Sequence, residues 1–368
     1  MVNLREATPA DYHQIQVLDA RYHLGTLTEI EWQHLYAGGP FAERCGFAWP
    51  LGWVLETPEN AIVGHIGNVP VEYSLNGQSL VGASANRWVV DADFRKHSTE
   101  LAKRFFAQPQ VDLFLNTTAT WPSGRAFGRL GALRPPVEAY DISKFWILDH
   151  PAFVSSLFAT KNVPLAQALG YPAGALLSLA SLIRSFGKCK PNRSALVWEL
   201  SAFDERFDNF WRILRAQPNR LLCVRDRAAL AWRFEKPLRN GNAWVLAGND
   251  DSGQLASYAV FLRQDSPDIN LRRMRLVDFQ SVGDGATFLR RAIEHSLACC
   301  HDDRVHVLEV IGFGVARKRQ IENLAPYRRQ LPSWMFWYKA ADRLPELAQS
   351  LENPKLWDPC TYDGDGCF

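Results

Sequence analysis

Residues 79–132 read SLVGASANRWVVDADFRKHSTELAKRFFAQPQVDLFLNTTATWPSGRAFGRLGA. The alternating apolar residues at the start of this stretch predict a strand that ends at Val90, and a polar loop follows over 91–99. A helical segment, a second strand and a second helix complete it. This order favours a site for a phosphate-bearing ligand, because the N–H groups of such a loop and of the helix N-terminus face the anion.

The size and composition of the chain predict a globular protein with two domains. It has 368 residues, and a chain of this length is too long for one ordinary core. Of these residues 47% are hydrophobic and 12% aromatic, so the chain can bury a sizeable core. The formal net charge of +2 argues against a nucleic-acid binder, which commonly has a strong basic excess. Seven cysteines without a C-x-x-C spacing favour a reducing compartment. The N-terminus does not show the basic segment followed by an apolar run that a signal peptide has, so we expect a cytoplasmic protein.

The segments around the opening stretch extend its sheet. Asn76-Gly77 predicts a two-residue hairpin turn into the strand that ends at Val90, because a type I′ turn needs φ > 0 at both central positions. Segments 135–148 and 334–338 are predicted to close the first and the second sheet. Earlier strands are predicted at 3–6, 52–56 and 61–75.

The second half of the chain contains a diverged copy of the same pattern. VVDADFRKHSTEL at 89–101 and LVDFQSVGDGATFL at 276–289 each contain Val-Asp at the end of a predicted strand, followed by a loop and a helix. We therefore interpret the chain as two copies of one α/β unit. The expected divisions are a first domain over 1–150, a helical connector over 151–192, a second domain over 193–340 and a C-terminal tail over 341–368.

An uncharged segment at 162–183 is the one stretch that calls for comparison with a membrane span. It has the length of a span, but prolines, glycines and serines interrupt it. We predict a packed or surface-lying helical linker with at most peripheral membrane contact.

The order of elements in both halves resembles that of the GNAT acyltransferase superfamily. The resemblance implies an α/β (α+β) fold with two GNAT-like domains, each a mixed, mainly antiparallel sheet flanked by helices. In that superfamily the loop after the central strand commonly reads Arg/Gln-x-x-Gly-x-Gly/Ala. Arg95 matches the first position, whereas Ser98 and Glu100 stand where the small residues occur. The resemblance covers most of the chain in layout, and motif letters support it over about 88–132.

The resemblance implies that acetyl-CoA or another acyl-CoA binds to the first domain as co-substrate. Two other interpretations of the loop remain open: it binds another phosphate-bearing or nucleotide donor, or it is a solvated basic loop whose Ser98 or Thr99 caps the helix. Asn116 can likewise belong to a turn that caps the next helix. The residues implied to hold the co-substrate are Val89, Val90, Arg95, Lys96, His97, Ser98, Thr99 and Asn116.

The corresponding loop of the second half contains Asp284 and no basic residue. An acid that points at a pyrophosphate is unfavourable. We therefore assign the donor to the first domain and acceptor binding or a scaffold role to the second. The reverse assignment remains the alternative.

Acyl transfer needs a base for the acceptor and a proton source for the leaving thiolate. His65 and Glu72, on the strand before the central one, are the nearest candidate bases, although a histidine in a strand is more often a core or surface residue. Phe127 stands where the superfamily commonly has the tyrosine that protonates the thiolate. Tyr140 is the candidate that remains for that role.

Candidates for acceptor binding lie in both halves. Asn86 and Arg87 are on the central strand, where this superfamily commonly has a bulge that opens the substrate channel. Trp232 and Arg233 can bind an anionic or sugar acceptor through stacking and charge. The alternative for this pair is burial of the tryptophan in the core beside an exposed arginine.

Cys299, Cys300 and His301, with His306 nearby, contain the residue types that bind metals. Neighbouring residues of a helix point in different directions, whereas a tetrahedral site needs ligands that converge. We therefore predict no metal.

The function implied is an acyltransferase that moves an acyl group from acyl-CoA to an amine or hydroxyl of a small-molecule or glycan-linked acceptor. One alternative is a FemAB-like transferase that uses aminoacyl-tRNA, the sole case in which a nucleic-acid partner is expected. Another is a catalytically silent GNAT-like binding or scaffold protein. The sequence leaves the oligomeric state open.

Overall fold

The computed structural model describes residues 2–161, 163, 170, 172–178, 190–193 and 197–368. Most of the segment 162–183 lies outside these residues. The prediction that this uncharged segment is a helical linker therefore also falls outside the described part of the chain. Within the described part of the chain, no helix combines the length and apolar character that a membrane span requires.

The first sheet has its central strands in a long hairpin. Asn76 and Gly77 join them with φ values of 52° and 81°, which are the positive values that the sequence predicts for this turn. The pairing is antiparallel except between the fourth and fifth strands. The sheet has the order β1-β2-β3-β4-β5-β14, with β8 beside the end of β3, and its strands are β1 (Asn3–Glu6), β2 (Gly52–Glu56), β3 (Ile62–Leu75), β4 (Gln78–Val90), β5 (Leu113–Ala119), β8 (Leu221–Cys223) and β14 (Met335–Ala340).

The helices of the first half cover both faces of this sheet. Apolar side chains of α4, among them Leu101 and Phe105, pack in one hydrophobic cluster, whereas α1 and α2 belong to a second cluster that continues into the other sheet. Thr28 and Glu31 form a capping box at the start of α2. The helices are α1 (Tyr12–Arg21), α2 (Glu29–Ala37), α3 (Pro40–Arg44), α4 (Ser98–Phe106) and α5 (Trp121–Arg129).

The second sheet is built from the second half of the chain and one earlier strand. Its order is β13-β6-β12-β11-β10-β9-β7. The strands are β6 (Ile142–Ile147), β7 (Trp198–Leu200), β9 (Ala243–Asn249), β10 (Leu255–Arg263), β11 (Arg273–Ser281), β12 (Val307–Val310) and β13 (Tyr327–Gln330). The described helices that accompany it are α6 (His150–Thr160), α7 (Glu205–Arg215), α8 (Arg227–Arg239), α9 (Ala286–Asp302) and α10 (Val315–Glu322). Helix α11 (Pro345–Ser350) packs against β14 of the first sheet.

The predicted internal repeat has a structural counterpart. In each sheet the central strand, β4 or β11, runs parallel to the next strand and antiparallel to the preceding one. Both central strands also carry a register shift, opposite His65 in the first sheet and opposite Val260 in the second. The two mixed, mainly antiparallel sheets flanked by helices confirm the predicted fold class.

The two sheets exchange their closing strands, which the sequence did not predict. The segment around β6 was expected to close the first sheet, but Ile147 pairs with Val307 of β12 in the second. Conversely, β14 pairs with β5 of the first sheet, with Tyr338 opposite Leu115. The apolar pattern of a strand shows that it is buried but does not identify its partner. The division into domains 1–150 and 193–340 stays a prediction about folding units.

The C-terminal tail packs between the two sheets. Residues Cys360 to Cys367 are buried along their whole length. Thr361 donates a hydrogen bond to the Ile311 carbonyl beside the second sheet at 2.6 Å, and Thr117 of β5 donates to Asp365 at 2.7 Å. The tail therefore connects the two halves of the molecule.

Two glycines allow α5 to lie close against β14. A Cβ added at Gly124 would lie 2.4 Å from Nε1 of Trp337, which is closer than unstrained contact permits. We expect Gly124→Ala to destabilise the fold by about 1–3 kcal/mol through overpacking. This exceeds the gain of about 1 kcal/mol that alanine has over glycine in a helix.

Urea unfolding would measure this effect, and Gly128→Ala is the matched control. Its added Cβ would meet the same tryptophan at 3.1 Å, so a small adjustment relieves it. We expect this variant to be as stable as the wild type or slightly more stable. Equal losses in the two variants would contradict the argument from close approach.

Candidate functional site

A cleft opens where β4 and β5 diverge; we name it the first cleft. The two strands pair from Gly82 with Leu113 to Ser84 with Leu115. Beyond that point β4 continues to Val90 without this partner. The cleft has a volume of about 490 Å³, and its walls include the predicted residues Val89, Val90, Arg95 and Ser98.

The rim of the first cleft is suited to an anion. Helix α5 begins directly after Thr120, so unpaired N–H groups of its first turn lie at the cleft. Helix α4 continues from a 3-10 helix over 92–97, and the N–H of its first residue, Ser98, is bonded to the Arg95 carbonyl. Arg95 adds a positive charge. The preceding loop is fastened to α1, because Arg21 binds Asp91 at 2.6 Å and the Tyr22 hydroxyl donates to the same carboxylate at 3.1 Å.

The other predicted co-substrate residues lie near this cleft but are not among its lining residues. Lys96 and Thr99 are exposed on the loop and the first turn of α4. His97 lies 3.3 Å from the carboxylate of Glu100, measured from Nδ1. Asn116 is buried on β5, opposite Trp337 of β14.

The corresponding space beside β11 in the second sheet is filled by the C-terminal tail. Asp358 and Thr361 lie there, and Thr361 bonds to the strand-end carbonyl of Ile311. Arg317 of α10 binds Asp358 at 2.9 Å and donates to the carbonyl of Asp284 in the loop before α9. The two halves therefore differ at this position: one cleft is open, and the other is occupied by the chain itself.

A larger cavity of about 610 Å³ lies between the two sheets; we name it the central cavity. The first sheet contributes Asn86, Arg87 and Thr118 to its lining, and the second sheet and the tail supply the opposite wall. Leu24 lines both the first cleft and the central cavity. The two spaces thus adjoin at Leu24, along the part of β4 that extends past its pairing with β5.

Asp365 of the tail faces the central cavity. Its two carboxylate oxygens each accept a hydrogen bond of 2.7 Å, one from Thr117 and one from Thr118. Asn86 donates to it at 3.3 Å. These neutral donors fix the orientation of the carboxylate and leave its negative charge without an ion-pair partner among the described residues.

His65 and Arg87 are linked through one buried carboxylate. The Nε2 atom of His65 lies 2.7 Å from Asp19, and Arg87 donates to the other oxygen of Asp19 at 2.9 Å. Arg87 has a φ of 48°, in the left-handed region, at the bulge of β4. The structure thus places His65 in a buried cluster that holds Arg87 at the cavity wall, and not among the residues that line the cavity.

Neither of the two remaining catalytic candidates is among the residues that line the first cleft or the central cavity. Glu72 binds Arg44 at 2.7 Å and accepts a hydrogen bond from Ser79 at 2.7 Å. Tyr140 is 1% exposed and packs against Phe336 at 5.1 Å between ring centres. Burial, followed by the charges of nearby aspartates, raises the pKa of Tyr140 well above its ordinary value.

Trp232 and Arg233 contact the C-terminal segment. Trp232 packs against the ring of Phe368 and donates to the carbonyl of His34 at 3.1 Å. Arg233 is buried, donates to the Tyr362 and Gly364 carbonyls, and stacks over the ring of Tyr362 at 4.1 Å. The structure thus shows both side chains anchoring the tail.

Phe127, at the position expected for a tyrosine, belongs to the core. It is 1% exposed and packs against Trp88 at 5.4 Å between ring centres. The rings of Phe105 and Phe106 also contact Phe127, so its environment is apolar and suits a side chain without a hydroxyl. Trp88 itself lines the first cleft, so Phe127 supports the cleft from behind.

One group of metal-ligating residue types lies outside both spaces. Ligand atoms of Glu199, His295 and Cys299 are all within 4.8 Å of one another. His295 already bonds to Glu199 at 2.8 Å. Burial, with the Glu199 charge second, raises the pKa of the Cys299 thiol to about 11, so the thiolate that a metal needs is disfavoured. The absence of a metal stays an expectation.

The parallel strand pair that opens into a cleft, followed by a loop and a helix N-terminus, defines the GNAT fold, here in two copies that exchange a strand. Comparison with solved structures confirms this predicted fold. N-myristoyltransferase of Saccharomyces cerevisiae with bound myristoyl-CoA aligns over 92% of this chain and 79% of its own, with a TM-score of 0.56 and 11% identity. A GCN5-related N-acetyltransferase from Kribbella flavida aligns over 93% and 72%, with a TM-score of 0.54 and 9% identity. Another from Anabaena variabilis aligns over 93% and 74%, with a TM-score of 0.51 and 10% identity.

These identities establish a common fold. Neither a protein-family model nor a curated protein matches the sequence.

Sequence reasoning missed several residues that line the two spaces. Asp365 lies in the tail sequence DPCTYDGDGCF, which has no motif, and it reaches the cavity through packing of the tail. Thr120 precedes Pro122, and this pair is a recognisable helix start that could have identified the N-terminus of α5. No local signal marks the arginines of β10 and β11, because strand alternation alone does not show that a polar face meets a cavity.

Proposed function

We propose that this protein is an N-acyltransferase that binds an acyl-CoA in the first cleft and an amine in the central cavity. The observation that carries the proposal is that the two spaces adjoin at Leu24, along the part of β4 that extends past its pairing with β5. A thioester lying along β4 would reach the cavity at this point. The bound myristoyl-CoA named for the yeast neighbour supports an acyl-CoA as the donor class.

The donor is assigned to the first copy because its cleft is open and electropositive. Arg95 provides charge and the N-terminus of α5 provides N–H groups for the CoA phosphates. In the second copy, Asp358 and Thr361 occupy the equivalent space. The second sheet then supplies the wall against which the acceptor binds.

Asp365 is the proposed base. The acceptor ammonium gives one proton to the carboxylate, and the neutral nitrogen attacks the thioester carbonyl carbon. A C–N bond forms, the C–S bond breaks, and the departing thiolate takes the second proton of the amine. Thr117 and Thr118 hold the carboxylate in one orientation during this transfer, which limits the positions at which the amine can bind.

Ligand-induced stabilisation tests the donor site. Acetyl-CoA, longer acyl-CoAs and free CoA should each raise the midpoint temperature of thermal unfolding. At a ligand concentration of one hundred times the dissociation constant, the folded state gains about 2.7 kcal/mol of free energy. We expect Arg95→Ala to weaken CoA affinity about tenfold or more, because a charge-assisted phosphate contact is lost. Arg104→Ala, on the exposed end of α4, is the matched control and should bind as the wild type does.

Three outcomes distinguish the proposal from its alternatives. The proposal is contradicted if no CoA compound stabilises the wild type. Stabilisation without any thioester consumption in the presence of amines would indicate a silent GNAT-like binding protein. Consumption of aminoacyl-tRNA in place of acyl-CoA would support the FemAB-like alternative.

A further inference from the structure

The wall of the central cavity that faces the first sheet contains more positive than negative charge. Glu309 is fully buried beneath it and is surrounded by three guanidinium groups. The distances to its carboxylate are 2.8 Å from Arg275, 2.8 Å from Arg329 and 3.9 Å from Arg273. Arg263 and Asp265 also line this wall and pair with each other at 2.9 Å, so two carboxylates balance four cations there.

Two of these cations lie at the cavity surface with little exposure to water. The side chains of Arg273 and Arg275 are 15% and 9% exposed, and both line the cavity. Burial, with Arg275 as the second cause, lowers the pKa of Arg273 to about 10. Buried charges are stable when they are paired, so an anion in the cavity would stabilise this arrangement.

On the other side of the cavity, Arg87 is paired with Asp19 at 2.9 Å, and Asp365 is the acidic side chain of the lining. Asp365 accepts hydrogen bonds from the neutral donors Thr117, Thr118 and Asn86. No ion-pair partner for it is found within the described parts of the chain. The cavity therefore presents an unpaired carboxylate toward β4 and β5 and an excess of guanidinium groups on β11.

We propose that the acceptor is an amine that also carries an anionic group, a carboxylate or a phosphate. Its ammonium binds Asp365, and its anionic group binds Arg273 and Arg275. This inference rests on the proposed acyl transfer for the role of the amine, while the anion site stands on the arginine cluster alone. A neutral or polycationic amine would leave the excess positive charge of this wall unbalanced and bind more weakly.

Calorimetric titration with inorganic phosphate and with acetate tests the anion site in the full-length protein. Free CoA is kept at saturation so that the phosphate-binding groups of the first cleft are occupied. The wild type should bind one equivalent of at least one anion, and Arg273→Gln should weaken that binding about tenfold or more. Arg272→Gln is the matched control, because its side chain bonds to His306 and is not among the cavity-lining residues.

A second arm compares pairs of amines as acceptors of acetyl-CoA. Glycine is set against glycinamide, and O-phosphoethanolamine against ethanolamine, with release of free thiol as the readout. We expect kcat/KM to be about tenfold or more higher for an anionic member, and this preference should disappear in Arg273→Gln. The preferred member of the two pairs identifies the anionic group as carboxylate or phosphate.

The outcomes separate this inference from the proposed function. Absence of anion binding in the wild type, or equal binding in Arg273→Gln, overturns the inference even if acyl-CoA is consumed. A preference for the neutral amines does the same. If CoA fails to bind, the proposed acyl transfer fails, and the anion titration repeated without CoA still decides whether the arginine site exists.

Discussion

Asp365→Asn is expected to lower kcat by about 10²–10⁴-fold, the range that a positioned general base contributes. The amide cannot take a proton from the acceptor ammonium, and it also removes the negative charge that binds this group. Its shape is nearly that of the carboxylate, and Thr117 and Thr118 can rotate their hydroxyls to bond with it. We therefore expect the fold to survive and acyl-CoA affinity to stay unchanged.

Steady-state kinetics with a fixed amine, together with the thermal shift produced by CoA, measure both parts of this prediction. Asp268→Asn, at an exposed position before β11, is the control for the change of charge and should keep wild-type kinetics. An unchanged kcat in Asp365→Asn would remove Asp365 from the reaction. A lower kcat accompanied by loss of the CoA-induced shift would instead show that the tail supports the first cleft.

Much of the fold could be predicted because its signals are local. Asn76-Gly77 specified a hairpin that the structure contains with both φ values positive. The Val-Asp repeat indicated β4 and β11, which occupy equivalent places in the two sheets, but Val-Asp ends only β4 and lies inside β11, which continues to Ser281. In both cases a short run of residues determines the local backbone conformation, so that conformation can be predicted from the neighbouring sequence.

The exchange of closing strands and the place of the tail could not be predicted in this way. β6 and β14 are apolar runs that either sheet could accept, and their choice depends on packing over more than 150 residues of chain. Asp365 becomes a candidate base because Thr117 and Thr118 of a distant strand bind it. Such contacts join residues about 250 positions apart and leave no periodic pattern.

His65 is a second case in which the sequence could not show the surroundings of a side chain. A histidine beside the central strand was a reasonable candidate base, and the alternative interpretation was a core residue. The structure places it in the core with Asp19, where it supports Arg87. Whether this cluster contributes to turnover stays a prediction.

Arg225→Met is expected to destabilise the fold by about 3–5 kcal/mol, because it leaves buried carboxylates without their cation. Arg225 is 0% exposed and binds Asp278 at 3.0 Å in β11 and Asp363 at 2.7 Å in the tail. Methionine fills a similar volume, so the loss measures charge and hydrogen bonding more than packing. Urea unfolding gives the free energy, and the exposed Arg227→Met should change it by no more than about 0.5 kcal/mol.

The pH dependence of this loss distinguishes a buried charge from a packing defect. Burial already raises the pKa of Asp363, and Arg225 opposes that rise. Without Arg225 the folded-state pKa of Asp363 rises further above its unfolded value. Protonation then favours the folded state at low pH, and this contribution is lost as the pH rises from the unfolded pKa of about 4 through the higher folded-state pKa.

The stability difference between wild type and Arg225→Met should therefore widen from about pH 4 to pH 7. A difference that stays constant over this range would point to packing as the cause. In an Arg225→Met protein that also carries Asp363→Asn, one uncompensated charge is removed, so part of the lost stability should return at pH 7. A further loss in this double variant would show that Asp363 stabilises the tail through contacts other than its pair with Arg225, such as its hydrogen bond from the Cys360 backbone at 2.8 Å.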